Sequence, residues 1–443
     1  MNIIPSYIRR RISHRPTLVK ILDNISWLFF DKVLRIGVGL LVGVWVARYL
    51  GPELFGLWSY VSAFVGLFAV VAALGLQNIV VRDIVRDPSC KGETLGTAAL
   101  LQLLAGLLSY TCLLGAFFWL RPEEELAKVL IAVLGSVMLF KFSEVAVYWF
   151  ESQVMSKYIV WVQNSIFLVF AIIKVILILK QCTLIAFAWA TVAEGFVVGF
   201  LMIVMLTVKG LPLRQLSISL VRAKSLLADS WPLLLSGIAI TTYMKIDQIM
   251  LGQMLGDQAV GIFSAASRIS EAWYFVPMII VGSVFPSILD AKKCGEVQYH
   301  NRLQHLYDLM VWLSVAIALP MTFLSTPIVI GLFGLAYAES GPVLVIHIWA
   351  SVFVFLGVAS GQWFIAENRQ ILIFQRTVLG AIVNVALNYI FIPRFGVIGA
   401  AYATVLAQAS VGLVYDLFQK ETRPMFLMKL KSFNPMRIKT YRT

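Results

Sequence analysis

Long apolar runs separated by short clusters of charge, glycine and proline dominate the chain. Leu54 to Val81, Thr94 to Leu120, Leu309 to Ala338 and Ser340 to Ala366 contain no Asp, Glu, Lys or Arg. Each run is longer than the roughly 20 apolar residues that carry a helix across the hydrocarbon core of a bilayer. A transmembrane β-barrel would instead show segments of about ten residues with alternating polarity, and this chain has no such alternation. Apolar windows read against turn and charge signals predict twelve spans: 24–50, 54–77, 94–119, 126–149, 158–179, 183–208, 231–251, 259–288, 306–333, 341–366, 371–392 and 397–418. The fold class expected is an all-α polytopic membrane protein.

A short motif recurs after the first and the seventh of these spans. Leu50-Gly51-Pro52-Glu53-Leu54-Phe55-Gly56-Leu57-Trp58-Ser59 and Leu255-Gly256-Asp257-Gln258-Ala259-Val260-Gly261-Ile262-Phe263-Ser264 both read L-G-x-x-x-x-G-aliphatic-aromatic-S. Equivalent placement predicts two lobes of six helices each, in the same orientation because six is even, as in parallel-repeat transporters. The expected organisation is residues 1–208 for the N-terminal lobe, 209–230 for an inter-lobe linker, 231–419 for the C-terminal lobe and 420–443 for a basic C-tail.

Composition agrees with membrane residence. Of the 443 residues 60% are hydrophobic and 13% are charged, about half the charge of a soluble domain; mean hydropathy is +0.86. The net charge of +13 is unevenly placed. Twenty-four of the 36 basic residues fall in the N-tail, in alternate loops on its side and in the C-tail. Only Arg48, Arg121, Lys128, Lys180 and Arg394 fall opposite. The positive-inside rule then places both termini in the cytoplasm. Arg9, Arg10, Arg11 and Arg15 could open a signal peptide, but the apolar stretch that follows holds Asp31, Lys32 and Arg35 and runs on to Leu50, so it reads as a first span. The basic excess is a solvated face near anionic headgroups; with no folded basic domain, no nucleic-acid partner is expected.

The remaining seven cations lie inside predicted spans, where a charge costs about 2.5–3.5 kcal/mol on insertion scales and so faces a cavity or a partner. They cluster with carboxylates: Asp31, Lys32 and Arg35 in span one, Lys141 and Glu144 in span four, Lys174 in span five, Glu194 in span six. Lys245 and Asp247 follow in span seven, Arg268 and Glu271 in span eight, and Arg376 near the start of span eleven. Asp31 with Arg35, Lys141 with Glu144 and Arg268 with Glu271 are spaced to pair along one helix face, which would neutralise them structurally. Charge at matching positions of spans one, seven and eight argues instead for a shared polar cavity, whose cationic excess suits an anionic ligand such as a phosphate or pyrophosphate. The substrate-binding candidates are Arg35, Lys141, Lys174, Lys245, Asp247, Arg268 and Glu271; the ion-coupling candidates are Asp31, Glu144, Glu194, Asp247 and Glu271. Asn384 and Asn388, four apart in span eleven, read as helix–helix glue, and His347 in span ten as a packing residue. No P-loop, HExxH, GxSxG or paired metal-ligand cluster is present. Scattered Cys90, Cys112, Cys182 and Cys294 suggest neither disulfide nor metal. Neither enzymatic chemistry nor a cofactor is expected.

Three segments carry a family resemblance: Ala47-Arg48-Tyr49-Leu50-Gly51-Pro52-Glu53-Leu54-Phe55-Gly56; Ser230-Trp231-Pro232-Leu233-Leu234-Leu235-Ser236-Gly237 continuing to Lys245-Ile246-Asp247-Gln248-Ile249-Met250-Leu251-Gly252; and Asn384-x-x-x-Asn388 followed by Ile392-Pro393-Arg394-Phe395-Gly396-x-x-Gly399-Ala400-Ala401-x-Ala403-Thr404. Over nearly its whole length the chain resembles the polysaccharide transporter branch of the multidrug/oligosaccharidyl-lipid/polysaccharide exporter superfamily, the bacterial O-antigen-type (Wzx-type) lipid-linked oligosaccharide flippases. The resemblance implies two six-helix lobes around a central cationic cavity lined by spans one, two, seven and eight. It also implies export of undecaprenyl-pyrophosphate-linked repeat units across the bacterial cytoplasmic membrane by alternating access, driven by proton or sodium antiport, for O-antigen, capsule or exopolysaccharide synthesis. Membrane lipids and other polysaccharide assembly proteins would be its partners. The family motif supports only Lys245 and Asp247; the other site positions rest on the charge argument. A drug or metabolite exporter of the same superfamily stays open as an alternative, as does a membrane polysaccharide polymerase or ligase, although the outer loops are too short for a catalytic domain.

Overall fold

The computed structural model describes residues 16–367 and 369–434. Arg9, Arg10, Arg11 and Arg15 of the basic N-tail, and Arg437, Lys439 and Arg442 of the C-tail, lie outside the described residues. Among the described residues all regular structure is helical. The elements are α1 (Pro16–Ala73), α2 (Leu76–Arg86), α3 (Lys91–Leu120), α4 (Glu125–Gly135), α5 (Glu144–Ser152), α6 (Ser156–Leu179), α7 (Leu184–Lys209) and α8 (Leu220–Met254). They continue with α9 (Asp257–Glu271), α10 (Phe275–Cys294), α11 (Glu296–Phe333), α12 (Ser340–His347), α13 (Ala350–Ala366), α14 (Gln370–Phe395), α15 (Val397–Ala409), α16 (Tyr415–Phe418) and α17 (Arg423–Ser432).

Ten helical stretches of the described residues are long and apolar enough to cross a membrane. Two adjustments recover twelve crossings. The 58 residues of α1 would extend about 87 Å as one straight helix, far more than one bilayer, and α1 is broken at Gly51, whose φ of 74° and ψ of 170° are not helical. It therefore supplies two spans. The 35-residue α8 supplies the other; its charges keep it outside a purely apolar count.

Several spans are not uniform α-helix. Span four passes through a 3₁₀ segment, Ser136–Ser143, between α4 and α5. Span eight has a 3₁₀ turn, Ala272–Tyr274, between α9 and α10. Span twelve contains a π-helical turn, Ser410–Val414, between α15 and α16. Such departures concentrate where a helix is bent or where its side chains serve a function.

The chain divides into two compact units, one of residues 1–49 and 61–238, the other of residues 50–60 and 239–443. The first has a core of Leu76, Ile79, Val80, Leu95, Tyr148, Trp149, Phe150, Met202 and Leu206. The segment after α7 is tied down to it: Ser217 N–H donates to the Gly92 carbonyl at 3.3 Å, and Arg222 donates to Asp83 and to Thr94, each at 3.0 Å. Helix α8 begins at Leu220, eleven residues ahead of the expected span, because Leu220 to Ser230 holds no helix breaker and Leu226 is fully buried.

The second unit contains both copies of the repeated motif, packed against each other. Gly51 (φ 74°) and Gly256 (φ 87°) take the same left-handed turn at equivalent positions, a conformation that L side chains rarely adopt. Five residues after each turn, a second glycine permits backbone contact. A Cβ on Gly56 would lie 1.7 Å from the Asp257 carbonyl oxygen, and one on Gly261 would lie 1.9 Å from the Pro52 carbonyl oxygen. Pro52 and Asp257 are themselves equivalent positions, so the crossing is reciprocal. The matching Ser59 and Ser264 hydroxyls are both buried there.

At the far end of the second unit α17 docks through polar groups. Gln304 Nε2 donates to the Met428 carbonyl and to Ser432 Oγ, each at 2.9 Å. Lys429, expected among the solvated C-tail cations, is fully buried: its Nζ donates to Asp416 at 2.6 Å, to the Gly412 carbonyl at 2.7 Å and to Ser360 Oγ at 3.1 Å. An ammonium can be buried only with such partners. The π-helical turn helps here, since Gly412 lies within it.

Candidate functional site

In the first unit every candidate charge is in an ion pair. Arg35 Nε donates to Asp31 at 2.7 Å along one helix face, while its Nη2 donates to Gln163 Oε1 at 3.1 Å on α6 and its guanidinium lies 5.5 Å from the centre of the Phe167 ring. Lys141, at the end of the 3₁₀ segment, donates to Glu144 at 2.6 Å. Glu144 also accepts from Tyr148 OH at 3.1 Å, and Tyr148 accepts from Gln102 at 2.8 Å. Lys174 on α6 donates to Glu194 on α7 at 2.8 Å. None of these pairs is sealed: the side chains remain 19–35% exposed.

The second unit is built differently. Lys245 and Asp247 lie on α8, Arg268 and Glu271 on α9, with Glu271 at the junction to the 3₁₀ turn. Glu271 lies within electrostatic reach of Lys245, Asp247 and Arg268. The i, i+3 spacing of Arg268 and Glu271 allows a pair, yet the Arg268 guanidinium instead covers the Phe55 ring, 4.7 Å from its centre. Phe55 in turn packs edge-on against Tyr337 at 6.2 Å. Among the described residues neither Lys245 nor Arg268 has a carboxylate within 4 Å. Cation–π contact holds an arginine in place while leaving its N–H donors for another acceptor.

Asp247 is 4% exposed and lies in a shell of neutral oxygens and amides. Its Oδ2 accepts from Thr404 Oγ1 on α15 at 2.7 Å, and its Oδ1 accepts a short bond from Asn388 Nδ2 on α14. Asn388 Nδ2 also donates to the Asn384 carbonyl at 3.0 Å and to Asn384 Oδ1 at 3.2 Å. Asn388 Oδ1 and Asn384 Nδ2 are buried with no hydrogen-bond partner among the described residues, so each has capacity for one more polar contact. Three spans, seven, eleven and twelve, thus converge on one carboxylate.

Reading the residues alone missed Asn384, Asn388 and Thr404 as members of this site. Their only signal was that all three fall within a family-like segment. Gln163, Gln102 and Tyr148 carried no charge signal at all. Arg376 is buried away from Asp247's immediate shell, donating to Ser360 Oγ and to the Gly357 carbonyl, both at 3.1 Å. His347 is buried beside Ser270, Nδ1 to Oγ 2.8 Å, and edge-on to Phe263, a packing arrangement.

Comparison with known proteins adds the following. The family model described as "Polysaccharide biosynthesis protein" matches residues 21–292, more than half of the chain. The chain is similar to the Haloferax volcanii protein named probable low-salt glycan biosynthesis flippase Agl15, 24% identical over 401 residues, which cover 86% of this chain and 80% of that protein. Among solved structures it resembles the lipid II flippase MurJ in an inward closed conformation, with a TM-score of 0.68 at 15% identity over 93% of this chain and 90% of the other. An inward-facing multidrug resistance MATE family transporter of the MOP superfamily superposes with a TM-score of 0.67 at 17% identity, over 90% of this chain and 96% of the other. At these identities the two structures share the fold with this chain.

Proposed function

The chain belongs to the polysaccharide biosynthesis protein family, and from that premise we propose that it is a flippase for lipid-linked oligosaccharides in surface polysaccharide synthesis. The carrier lipid is undecaprenyl pyrophosphate, moved across the cytoplasmic membrane by alternating access, with both termini in the cytoplasm. The observation that carries this reading is the pair of cations in the second unit, Lys245 and Arg268, neither of which has a carboxylate within 4 Å among the described residues. A fixed ammonium and a guanidinium with donors to spare bind a pyrophosphate by charge-assisted hydrogen bonds. The ion-paired Arg35, Lys141 and Lys174 serve as secondary contacts whose carboxylates, Asp31, Glu144 and Glu194, exchange partners as substrate passes.

Asp247 and Glu271 are the coupling groups in this proposal. A proton on Asp247, or a sodium ion among Asp247, Thr404 and the two asparagines, would neutralise a carboxylate that otherwise holds spans seven, eleven and twelve together. Turning the Asn388 amide over brings Oδ1 toward Asp247, giving the hard oxygen ligands that a small cation prefers.

The purified protein can be titrated with a prenyl-pyrophosphate-linked oligosaccharide, with the corresponding neutral prenyl alcohol, and with a lipophilic organic cation. The pyrophosphate-linked compound should bind saturably, and Lys245→Ala or Arg268→Ala should each weaken it about tenfold or more, the weight of one charged hydrogen bond. Equal affinity for the neutral alcohol would remove the role assigned to the two cations. Tighter binding of the organic cation would favour the drug-exporter alternative.

A further inference from the structure

A cavity of about 570 Å³ opens between α10 and α11, within the second unit, and none of the charges described above lines it. Its volume is that of an ordinary small-molecule site. One part of the lining is polar, Gln298, Asn301, Arg302 and His305; the other is apolar, Val284, Leu306 and Leu309. This division follows the chain. Helix α11 opens with polar and charged residues and carries no Asp, Glu, Lys or Arg from Leu309 onward, so the groove straddles the level at which a span leaves the headgroups and meets hydrocarbon.

The electrostatics select the ligand. No carboxylate lines the groove. The acids nearest in sequence are engaged elsewhere: Asp308 is buried and accepts from Gln304 Nε2 at 2.8 Å, Asp290 pairs with Lys293 at 3.0 Å, and Glu296 lies 3.4 Å from the His300 ring. Arg302 is held by one contact, Nη1 donating to Ser287 Oγ on α10, and no carboxylate pairs with it among the described residues. The guanidinium is therefore anchored across the groove with most of its donors uncommitted. Leu309, 48% exposed, continues the apolar wall toward the hydrocarbon region. A basic pocket between spans at the headgroup level is the arrangement that recognises an acidic lipid.

We propose that this groove is a binding site for an anionic glycerophospholipid, its phosphate on Arg302 with Asn301 and Gln298 as further hydrogen-bond donors, and its acyl chain along Leu306, Leu309 and Val284. The site is distinct from the transport site, and it stands whether or not the chain moves oligosaccharides. A lipid held there would tie α10 to α11 and set how firmly the second unit packs in a given membrane.

The full-length protein in detergent, exchanged with phosphatidylglycerol or phosphatidylcholine, can be weighed by native mass spectrometry and its thermal unfolding followed in parallel. The wild-type protein should retain at least one phosphatidylglycerol that phosphatidylcholine does not replace, and phosphatidylglycerol should raise its melting temperature. Arg302→Gln should raise the phosphatidylglycerol concentration for half-saturation about tenfold and abolish the lipid-specific stabilisation. Arg302→Lys should keep most of both, and Arg214→Gln, the loss of an exposed arginine elsewhere, should change neither. Equal retention of the two lipids, or an unaltered phosphatidylglycerol response in Arg302→Gln with normal unfolding, would overturn the proposal. So would displacement of the lipid by millimolar inorganic phosphate, which would make the groove a site for the free anion.

Discussion

Asp247 is the residue on which most of the account converges. It is buried, it bridges α8 to α14 and α15 through Asn388 and Thr404, and it lies in electrostatic reach of Lys245 and Glu271. Asp247→Asn preserves shape and one acceptor while removing the charge that an ion would neutralise. Transport by this variant should no longer respond to an imposed proton or sodium gradient, although the protein is made and folds; an unchanged response would exclude Asp247 as the coupling group. At this scale the site was partly legible in the sequence. Lys245 and Asp247 stood out as charges inside an otherwise apolar span. Asn384 and Asn388 did not, because a neutral amide pair at i, i+4 looks the same whether it glues helices or faces a carboxylate. Lys174 and Glu194 are twenty residues apart on different spans, so their pairing depends on packing register and leaves no mark in local spacing. Arg268 and Glu271 show the converse: the spacing allowed a pair, and the Phe55 ring took the arginine instead.

Among elements, the two copies of the repeated motif make a close backbone crossing that no longer side chain could occupy. Gly56→Ala and Gly261→Ala should each cost more than about 2 kcal/mol, the range of overpacking in a tight contact, and lower the melting temperature of the purified protein. Gly37→Ala, whose new Cβ would meet nothing within 4 Å, should be near neutral or slightly stabilising. Equal melting temperatures for all three variants would show that the crossing is not the tight contact described. The motif was visible in the sequence, but its reciprocal packing was not, since six matched letters specify a turn and not its partner. Span positions were readable because hydrocarbon imposes a length and a polarity. The early start of α8 and the 3₁₀ and π-helical turns were not, because none alters hydropathy. The burial of Lys429 left no mark for a related reason, a lysine near the end of a basic chain being indistinguishable from a solvated one. Removing only Lys429 (Lys429→Met) strands the Asp416 carboxylate, and removing only Asp416 (Asp416→Asn) strands the ammonium. Each single change should destabilise by about 3–5 kcal/mol, and the double change by clearly less than their sum. Additive losses in a thermal unfolding cycle would mean that the pair is not coupled.

For the whole molecule, a chain with twelve crossings, little charge in its spans and a basic excess outside them belongs in a membrane. It belongs to the polysaccharide biosynthesis protein family, and its fold is shared with a lipid flippase and a drug transporter; the proposed movement of a lipid-linked glycan joins the two. The choice of cargo rests on two cations, Lys245 and Arg268, with no carboxylate within 4 Å among the described residues. The direct test is to reconstitute the purified protein into liposomes that carry a labelled prenyl-pyrophosphate-linked oligosaccharide in both leaflets, then add a membrane-impermeant glycosidase outside. The protein should expose the inner-leaflet pool to cleavage, faster when a proton or sodium gradient is directed inward so that the ion enters as the lipid moves outward, and Lys245→Ala combined with Arg268→Ala should slow it about a hundredfold, two charged contacts at a factor of about ten each. Cleavage that halts at the outer-leaflet half, as in protein-free liposomes under the same gradient, would contradict the account.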